Sequence, residues 1–334
     1  MTLYIILFIL LINFFLFIFN KKIADKINLY DIPDARKLHK KPVSLNGGIF
    51  YFINISIIFV IDIFFNNFYL LGSLGFENEV NSILTLFVIF FLLLLGVVDD
   101  KISLKPISKT LVSLIIFFIF LSIKTEYRVI DLRFETFNLT IDLLELSLVF
   151  TILCFMFLQI ILNLYDGVNL QSSLYYSIIL IHLITLNKEY GFFIVCVLTL
   201  IYLLYFSINN HRSNIFLGDN GVYIFSFILS LLIIKTYQNN NVFLIEEIFV
   251  ILFVPTVDAI RLFFTRLIKN KNPLKADRAH LHHILLKKYG LIKANILLVS
   301  PLISSILLMN FSKLNIIIII FMNGILYLYL LKNK

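Results

Sequence analysis

Long apolar runs, broken by short polar clusters, set the pattern of this chain. Runs long enough to cross a hydrocarbon layer of roughly 30 Å as helices lie at 3–19, 47–65, 82–98, 109–123, 143–162, 171–187, 191–208, 221–237, 244–268, 293–310 and 316–331. They predict an all-α integral membrane protein with about 11 transmembrane helices, a single polytopic domain over 1–334. The first run lacks a basic leader and a small-residue cleavage site before Lys21-Lys22, so it reads as a retained span. Between 127 and 141 a partial alternation of apolar and polar residues predicts one small hairpin.

Lys and Arg orient the array. The loops 20–46, 99–109, 209–220 and 266–293, together with the C-terminus, hold 21 of the 28, the opposite set holds six, and Arg261 lies within the ninth run. The positive-inside rule then puts the N-terminus outside, the C-terminus in the cytoplasm and the hairpin on the outer side. The cytoplasmic loops are expected at about 20–46, 99–109, 163–170, 209–220 and 269–292.

Composition agrees with a membrane protein. Hydrophobic residues make up 60% and charged residues 14%, too few charges to coat a soluble globule of this size. The net charge of +8 is accounted for by the loop bias, so it gives no sign of a nucleic-acid partner. Trp is absent, which leaves Tyr to form any interfacial belt. Cys154 and Cys196 lie inside apolar runs and read as small buried hydrophobes.

The polar clusters gather on the predicted inner side. The third run ends in Asp99-Asp100, followed by Lys101, Lys105 and Lys109; adjacent carboxylates call for a cation or a shared proton, or else mark a plain polar helix end. The first inner loop carries Asp31, Arg36, Lys37, His39 and then Gly47-Gly48, which reads as a phosphate-binding loop with a tight bend or as a basic, lipid-facing loop. Asn163, Asp166 and Asn169 recur every third residue, with Gly167 as a helix breaker, and a capping turn is the alternative. Asp219, between Gly218 and Gly221, suits a hard cation such as Mg²⁺ with phosphate oxygens, or an N-cap in which Asn220 would serve equally well. Asp258 and Arg261 are placed to pair within the ninth run. Asp277-Arg278-Ala279-His280-Leu281-His282-His283 suits diphosphate or base recognition better than zinc. His182, within a run, is expected to be a satisfied interhelical group.

Taken in order, Asp31–Gly48, Gly96–Lys109, Asn163–Gly167, Phe216–Asp219, Pro255–Arg266 and Asp277–His283 resemble the motifs of the polyprenyl-phosphate N-acetylhexosamine-1-phosphate transferases (glycosyltransferase family 4), over essentially the whole chain. The His-x-His-His form is similar to the WecA-like branch, which initiates surface polysaccharides such as O-antigen. The resemblance implies a bacterial cytoplasmic (inner) membrane enzyme with its active site facing the cytoplasm. Its substrates would be undecaprenyl phosphate in the bilayer and a UDP-HexNAc, and Mg²⁺ would be the cofactor, with Mn²⁺ as a substitute. It further implies Asp219 as the metal ligand and Asp99, Asp100 and Lys109 as the catalytic group, with Asp99 activating the acceptor phosphate and Asp100 orienting the metal or Lys109. Asn163, Asp166, Asn169, Arg278, His280, His282 and His283 would hold the nucleotide sugar, with Arg36, Lys37 and His39 supplying positive potential. Four positions depart from the family pattern: Leu170 where Gly is usual, Val222 where Ser is, Ser44 where Pro is, and Ser113 where Gln is. The sibling phospho-N-acetylmuramoyl-pentapeptide transferase is less similar. An ion-coupled transporter would carry its ionisable groups near the midplane of repeated broken helices, a pattern this sequence lacks.

Overall fold

The structure, a computed structural model, describes all residues other than 1, 34–38, 66–69, 75–77, 135, 240–242, 273–277, 313 and 333–334. It is all-α apart from two short antiparallel ladders. The helices are α1 Thr2–Ile18, α2 Asn20–Ile27, α3 Gly47–Phe65, α4 Glu79–Ile102, α5 Pro106–Ile123, α6 Ser147–Tyr165, α7 Gln171–Leu186, α8 Tyr190–His211, α9 Gly218–Asn239, α10 Ile245–Ile251, α11 Phe253–Ile268, α12 Leu281–Phe311 and α13 Ile316–Lys332. Among the described residues seven helices are long and apolar enough to cross a membrane, or nine if the bent pairs α1–α2 and α10–α11 each count as one; α7 and α13 are shorter apolar helices. Large side chains such as Phe64, Phe65, Ile107 and Phe321 lie mostly exposed on the rim. An apolar exterior of this kind belongs in hydrocarbon, and the chain is a multi-pass membrane protein.

The bundle is built around α9. Its apolar window is 94% buried, against 22–56% for the other long helices, and α3, α4 and α6 pack against it. Glycines set how closely they approach. A Cβ at Gly96 of α4 would run into the backbone of Asn220, and one at Gly48 of α3 into Asn220 and Gly221. Gly47 and Gly48 are thus in the first turn of a regular helix, and their smallness serves close contact, Gly47 with Phe216 and Leu217 just before α9 and Gly48 with α9 itself, rather than the expected tight bend.

Several predicted boundaries move, each for a local reason. Within the ninth run the chain bends by 70° at Leu252. Pro255 has no N–H to give the carbonyl four residues back, and its ring clashes with that carbonyl; the freed Ile251 oxygen instead accepts the Tyr175 hydroxyl at 2.7 Å. The first run bends by 62° into α2, which buries Asn20 and Ala24 and exposes Lys21, Lys22 and Lys26, so the polar segment after that run opens with an amphipathic helix. Beyond it, β1 (Tyr30–Asp31) pairs with β2 (Val43–Ser44). The helix α4 runs on through Asp99 and Asp100, and α5 starts early because Pro106 fits a first helical position. Likewise α12 takes in His282 and His283, with a break at Gly290, where φ is 74°.

The hairpin falls where the alternation put it, as β3 (Asp131–Phe134) and β4 (Leu139–Asp142). It docks on the C-terminal end of α9, with the Arg133 guanidinium 4.2 Å from the Tyr237 ring. His182 departs from expectation: it is buried with neither ring nitrogen hydrogen-bonded among the described residues. Cys154 and Cys196 are free thiols. Asp258 and Arg261 do pair, at 2.8 Å.

Candidate active site

At the end of the bundle opposite the hairpin, the C-terminal ends of α4, α6 and α8 meet the N-terminal ends of α5, α9 and α12 around a cavity of about 880 Å³. Of the residues singled out from the sequence, His39, Asp99, Asp100, Lys109, Asn163, Asp166, Asn169, Asp219 and His283 line it. His280, His282 and Arg278 are not among the described residues that line it, and Arg36 and Lys37 lie outside the described residues.

Its centre is a chain of charges. Asp99 is only 4% exposed. Its Oδ1 accepts the Leu104 N–H at 2.8 Å, which closes the short α4–α5 turn. Its Oδ2 accepts the Lys109 ammonium at 2.7 Å and the Tyr223 hydroxyl at 2.8 Å. Lys109 Nζ also lies 3.5 Å from Asp219 Oδ2, while Asp219 Oδ1 accepts the side-chain amide of Asn163. One ammonium thus sits between two carboxylates on different helices, which offsets their mutual repulsion. Asp100 faces elsewhere: its carboxylate accepts the backbone N–H groups of Asp219 and Asn220.

On the far wall, α6 ends at Tyr165 as Gly167 led one to expect, so Asn163, Asp166 and Asn169 do not share a helix face. Asp166 accepts the Ser172 hydroxyl at 2.6 Å, and burial pushes its carboxyl up to about 6. Asn169 donates to Ser213 Oγ at 2.8 Å. Leu170 adopts a left-handed φ of 70°, the conformation for which glycine is the ordinary choice, and its N–H donates to Asn210 Oδ1 at 2.5 Å. The Gly167 backbone lies against the His282 ring, where a Cβ would collide.

The histidines divide by position. His280 Nδ1 lies 2.9 Å from Asp258 Oδ2, and Asp258 also accepts Arg261, Tyr327 and the Leu281 N–H. That network pins the start of α12. His280 and His282 stack with centroids 5.2 Å apart, and His283 meets His282 edge-on at 4.3 Å. His280 and His282 therefore support the wall, and His283 is the member that reaches the cavity. On the opposite side, His39 Nε2 lies 2.9 Å from Asp31 Oδ2 and its Nδ1 2.8 Å from the Lys41 carbonyl, which fixes the imidazole at the cavity wall.

Tyr223, Asn210 and Ser213 were not anticipated. Tyr223 is four residues beyond Asp219 and so shares its helix face, a signal present in the sequence. Asn210, in the last turn of α8, and Ser213, two residues beyond that helix, gave none. Of the departing positions, Val222 is buried at 1% exposure, and the Ser113 hydroxyl accepts the Gln159 amide at 2.8 Å, so both act in the packing. Ser44 Oγ donates to Asn20 Oδ1 and to the Asn214 carbonyl, tying α2 to the segment before α9.

Among the described residues no three His, Cys, Asp or Glu side chains converge as a ready-made metal cage.

The profile described as Glycosyl transferase family 4 matches residues 82–237. The chain is 27% identical over 289 residues to the undecaprenyl-phosphate alpha-N-acetylglucosaminyl 1-phosphate transferase of Pasteurella multocida, covering 82% of this chain and 76% of that one. It is 28% identical over 279 residues to a probable undecaprenyl-phosphate N-acetylglucosaminyl 1-phosphate transferase of Bacillus subtilis, covering 80% and 72%. The Salmonella typhi undecaprenyl-phosphate alpha-N-acetylglucosaminyl 1-phosphate transferase is 24% identical over 284 residues, covering 81% and 73%.

Proposed function

We propose that this chain, which is similar to the glycosyl transferase family 4 profile over residues 82–237 and to undecaprenyl-phosphate N-acetylglucosaminyl 1-phosphate transferases, is an enzyme moving a HexNAc-1-phosphate from a UDP-sugar to undecaprenyl phosphate. A phosphate oxygen of the lipid attacks the phosphorus that carries the sugar; the diphosphate P–O bond breaks, and UMP leaves. The product is a polyprenyl-diphospho-sugar that starts a surface polysaccharide, O-antigen or a related glycan. The observation that carries this reading is the set Asp99–Lys109–Asp219–Asn163, gathered at helix ends around one cavity.

The donor set supports Mg²⁺. That ion takes one or two carboxylates and completes its shell with water and substrate phosphate oxygens, so a protein cage is not required. Asp219 would hold it, with the Asn163 amide beside it. When bound, the ion would neutralise charge on the diphosphate and on the departing UMP.

The side chains do the rest. Lys109 offers an ammonium to the phosphoryl oxygens as charge builds in the transition state. Asp99 already accepts three hydrogen bonds, so its part is to fix that ammonium. A phosphate monoester loses its second proton at about pH 6, so the acceptor needs little help from a base near neutrality. His283, Asn169 and Asp166 face the donor from the other wall, with His39 and the basic loop adding positive potential.

The two bent pairs and the two shorter apolar helices, each read as one crossing, join the seven long helices to make eleven. The Lys/Arg bias then puts this end of the bundle at the cytoplasmic face of the bacterial inner membrane, where UDP-sugars are found, and leaves the hairpin outside. The test is UMP release by purified protein given undecaprenyl phosphate, Mg²⁺ and a panel of UDP-HexNAc donors, beside Asp219→Asn. Metal-dependent release with one donor, lost in the variant, is the expected result. No release with any donor, from folded protein, contradicts it.

A further inference from the structure

Asp99 and Asp100 are neighbours in sequence, yet they leave α4 in different directions, because successive helical residues point about 100° apart. Asp99 turns to Lys109 and Tyr223. Asp100 turns to the first turn of α9. Its Oδ1 accepts the Asp219 N–H at 2.9 Å, and its Oδ2 accepts the Asn220 N–H at 3.2 Å together with the Asn220 side-chain amide.

The opening N–H groups of a helix have no intrahelical partner, and the residue just before the helix usually supplies an acceptor from its own side chain. Here Leu217 precedes α9 and Gly218 opens it, and neither side chain can accept. Gly218 sits at φ +73°, where a Cβ would stand 2.7 Å from Asp100 Oδ2. The missing side chain is what lets the carboxylate of another helix reach the amides. Asn220 extends the tie, donating also to the Leu45 carbonyl at 2.9 Å.

Resting on the reading that Asp219 works at the substrate phosphates, we propose that Asp100 is a positioning residue: it caps α9 from α4 and thereby fixes the backbone from which the Asp219 side chain projects. This differs from the part as metal or lysine orienter that the family resemblance suggested. Asp100 also sets a negative charge against the positive end of the α9 dipole, so that end is already occupied and does not serve as the phosphate cradle.

The test compares wild type with Asp100→Asn and Asp100→Ala by three measurements: melting temperature without added metal or substrate, the Mg²⁺ concentration giving half-maximal rate, and kcat for UMP release. Asn keeps one oxygen that can cap, and Ala keeps none. Asp100→Ala should melt below wild type in the metal-free state, lose about 10- to 100-fold in rate and need more Mg²⁺, in the range seen when supporting partners of a site are removed. Asp100→Asn should lie between the two in all three measurements. The proposal is overturned if Asp100→Asn is as inactive as Asp100→Ala while both melt at the wild-type temperature, because that is the behaviour of a group needed for its charge alone. Should Asp100→Ala fail to fold, Asp100→Asn decides: a rate within about tenfold of wild type supports the cap, and a far larger loss at unchanged melting refutes it. Wild-type UMP release tests the transfer reaction separately, and the metal-free melting comparison does not depend on any donor.

Discussion

The Tyr223 hydroxyl donates to Asp99 Oδ2 at 2.8 Å, on the same oxygen that accepts the Lys109 ammonium at 2.7 Å. A residue of the central helix thus helps hold the carboxylate that holds the lysine. Tyr223→Phe removes one hydrogen bond and almost no volume. The rate should fall by about 10- to 100-fold at nearly unchanged melting temperature, read from steady-state kinetics beside a thermal melt. A wild-type rate would remove Tyr223 from the site.

Leu170 bears a conformation that costs a non-glycine residue roughly 1–2 kcal/mol. Leu170→Gly relieves that strain and gives part of it back as unfolded-chain entropy, so it should melt at or slightly above wild type. Leu170→Val, stiff at Cβ, should melt lower. Differential scanning fluorimetry in detergent would rank the three, and the opposite order would show that Leu170 is held by packing that outweighs its backbone.

Gly96→Ala tests the closeness of α4 and α9. The added methyl has nowhere to go but the Asn220 backbone, and overpacking of this kind costs about 1–3 kcal/mol. Both melting temperature and activity should drop, because the same crossing carries Asp99, Asp100 and Asp219. A neutral substitution would mean that the crossing is looser than these contacts require.

Asp166 predicts a pH effect on stability. Its carboxyl titrates at about 6 in the folded protein, against an ordinary value of 3.8. Between those values the folded state keeps a proton that the unfolded chain has lost, so this group's contribution to stability falls as pH rises from about 4 to 6 and levels off above. Asp166→Asn lacks the titration. The melting-temperature difference between wild type and variant, followed across that window, should fall in wild type relative to Asn; parallel curves would contradict it.

The membrane helices were legible because the runs are long and mostly apolar, and the bends were less so because Pro255 and Phe19 interrupt helical geometry without interrupting hydrophobicity. The site was legible as a set: Asp99, Lys109, Asn163 and Asp219 stood out as polar clusters at run ends, and they do meet. Their partners were harder to read. Asp100 reaches Asp219 across 119 positions of sequence, and no local spacing encodes a cap borrowed from another helix. His280, His282 and His283 form one motif in sequence, yet helix geometry sends only His283 to the cavity while Asp258 holds His280. Gly47-Gly48 looked like a bend because their contact partners, Phe216 and Leu217 for Gly47 and Asn220 for Gly48, are remote in the chain.

The central claim is that the phosphate next to the sugar travels with it. Supplying UDP-N-acetylglucosamine, or whichever donor proves active, with radioactive phosphorus in the β position separates this from transfer of the sugar alone. With undecaprenyl phosphate and Mg²⁺, the label should pass into the lipid fraction while unlabelled UMP is released. Label retained in released UDP, with the sugar on the lipid, would contradict the account.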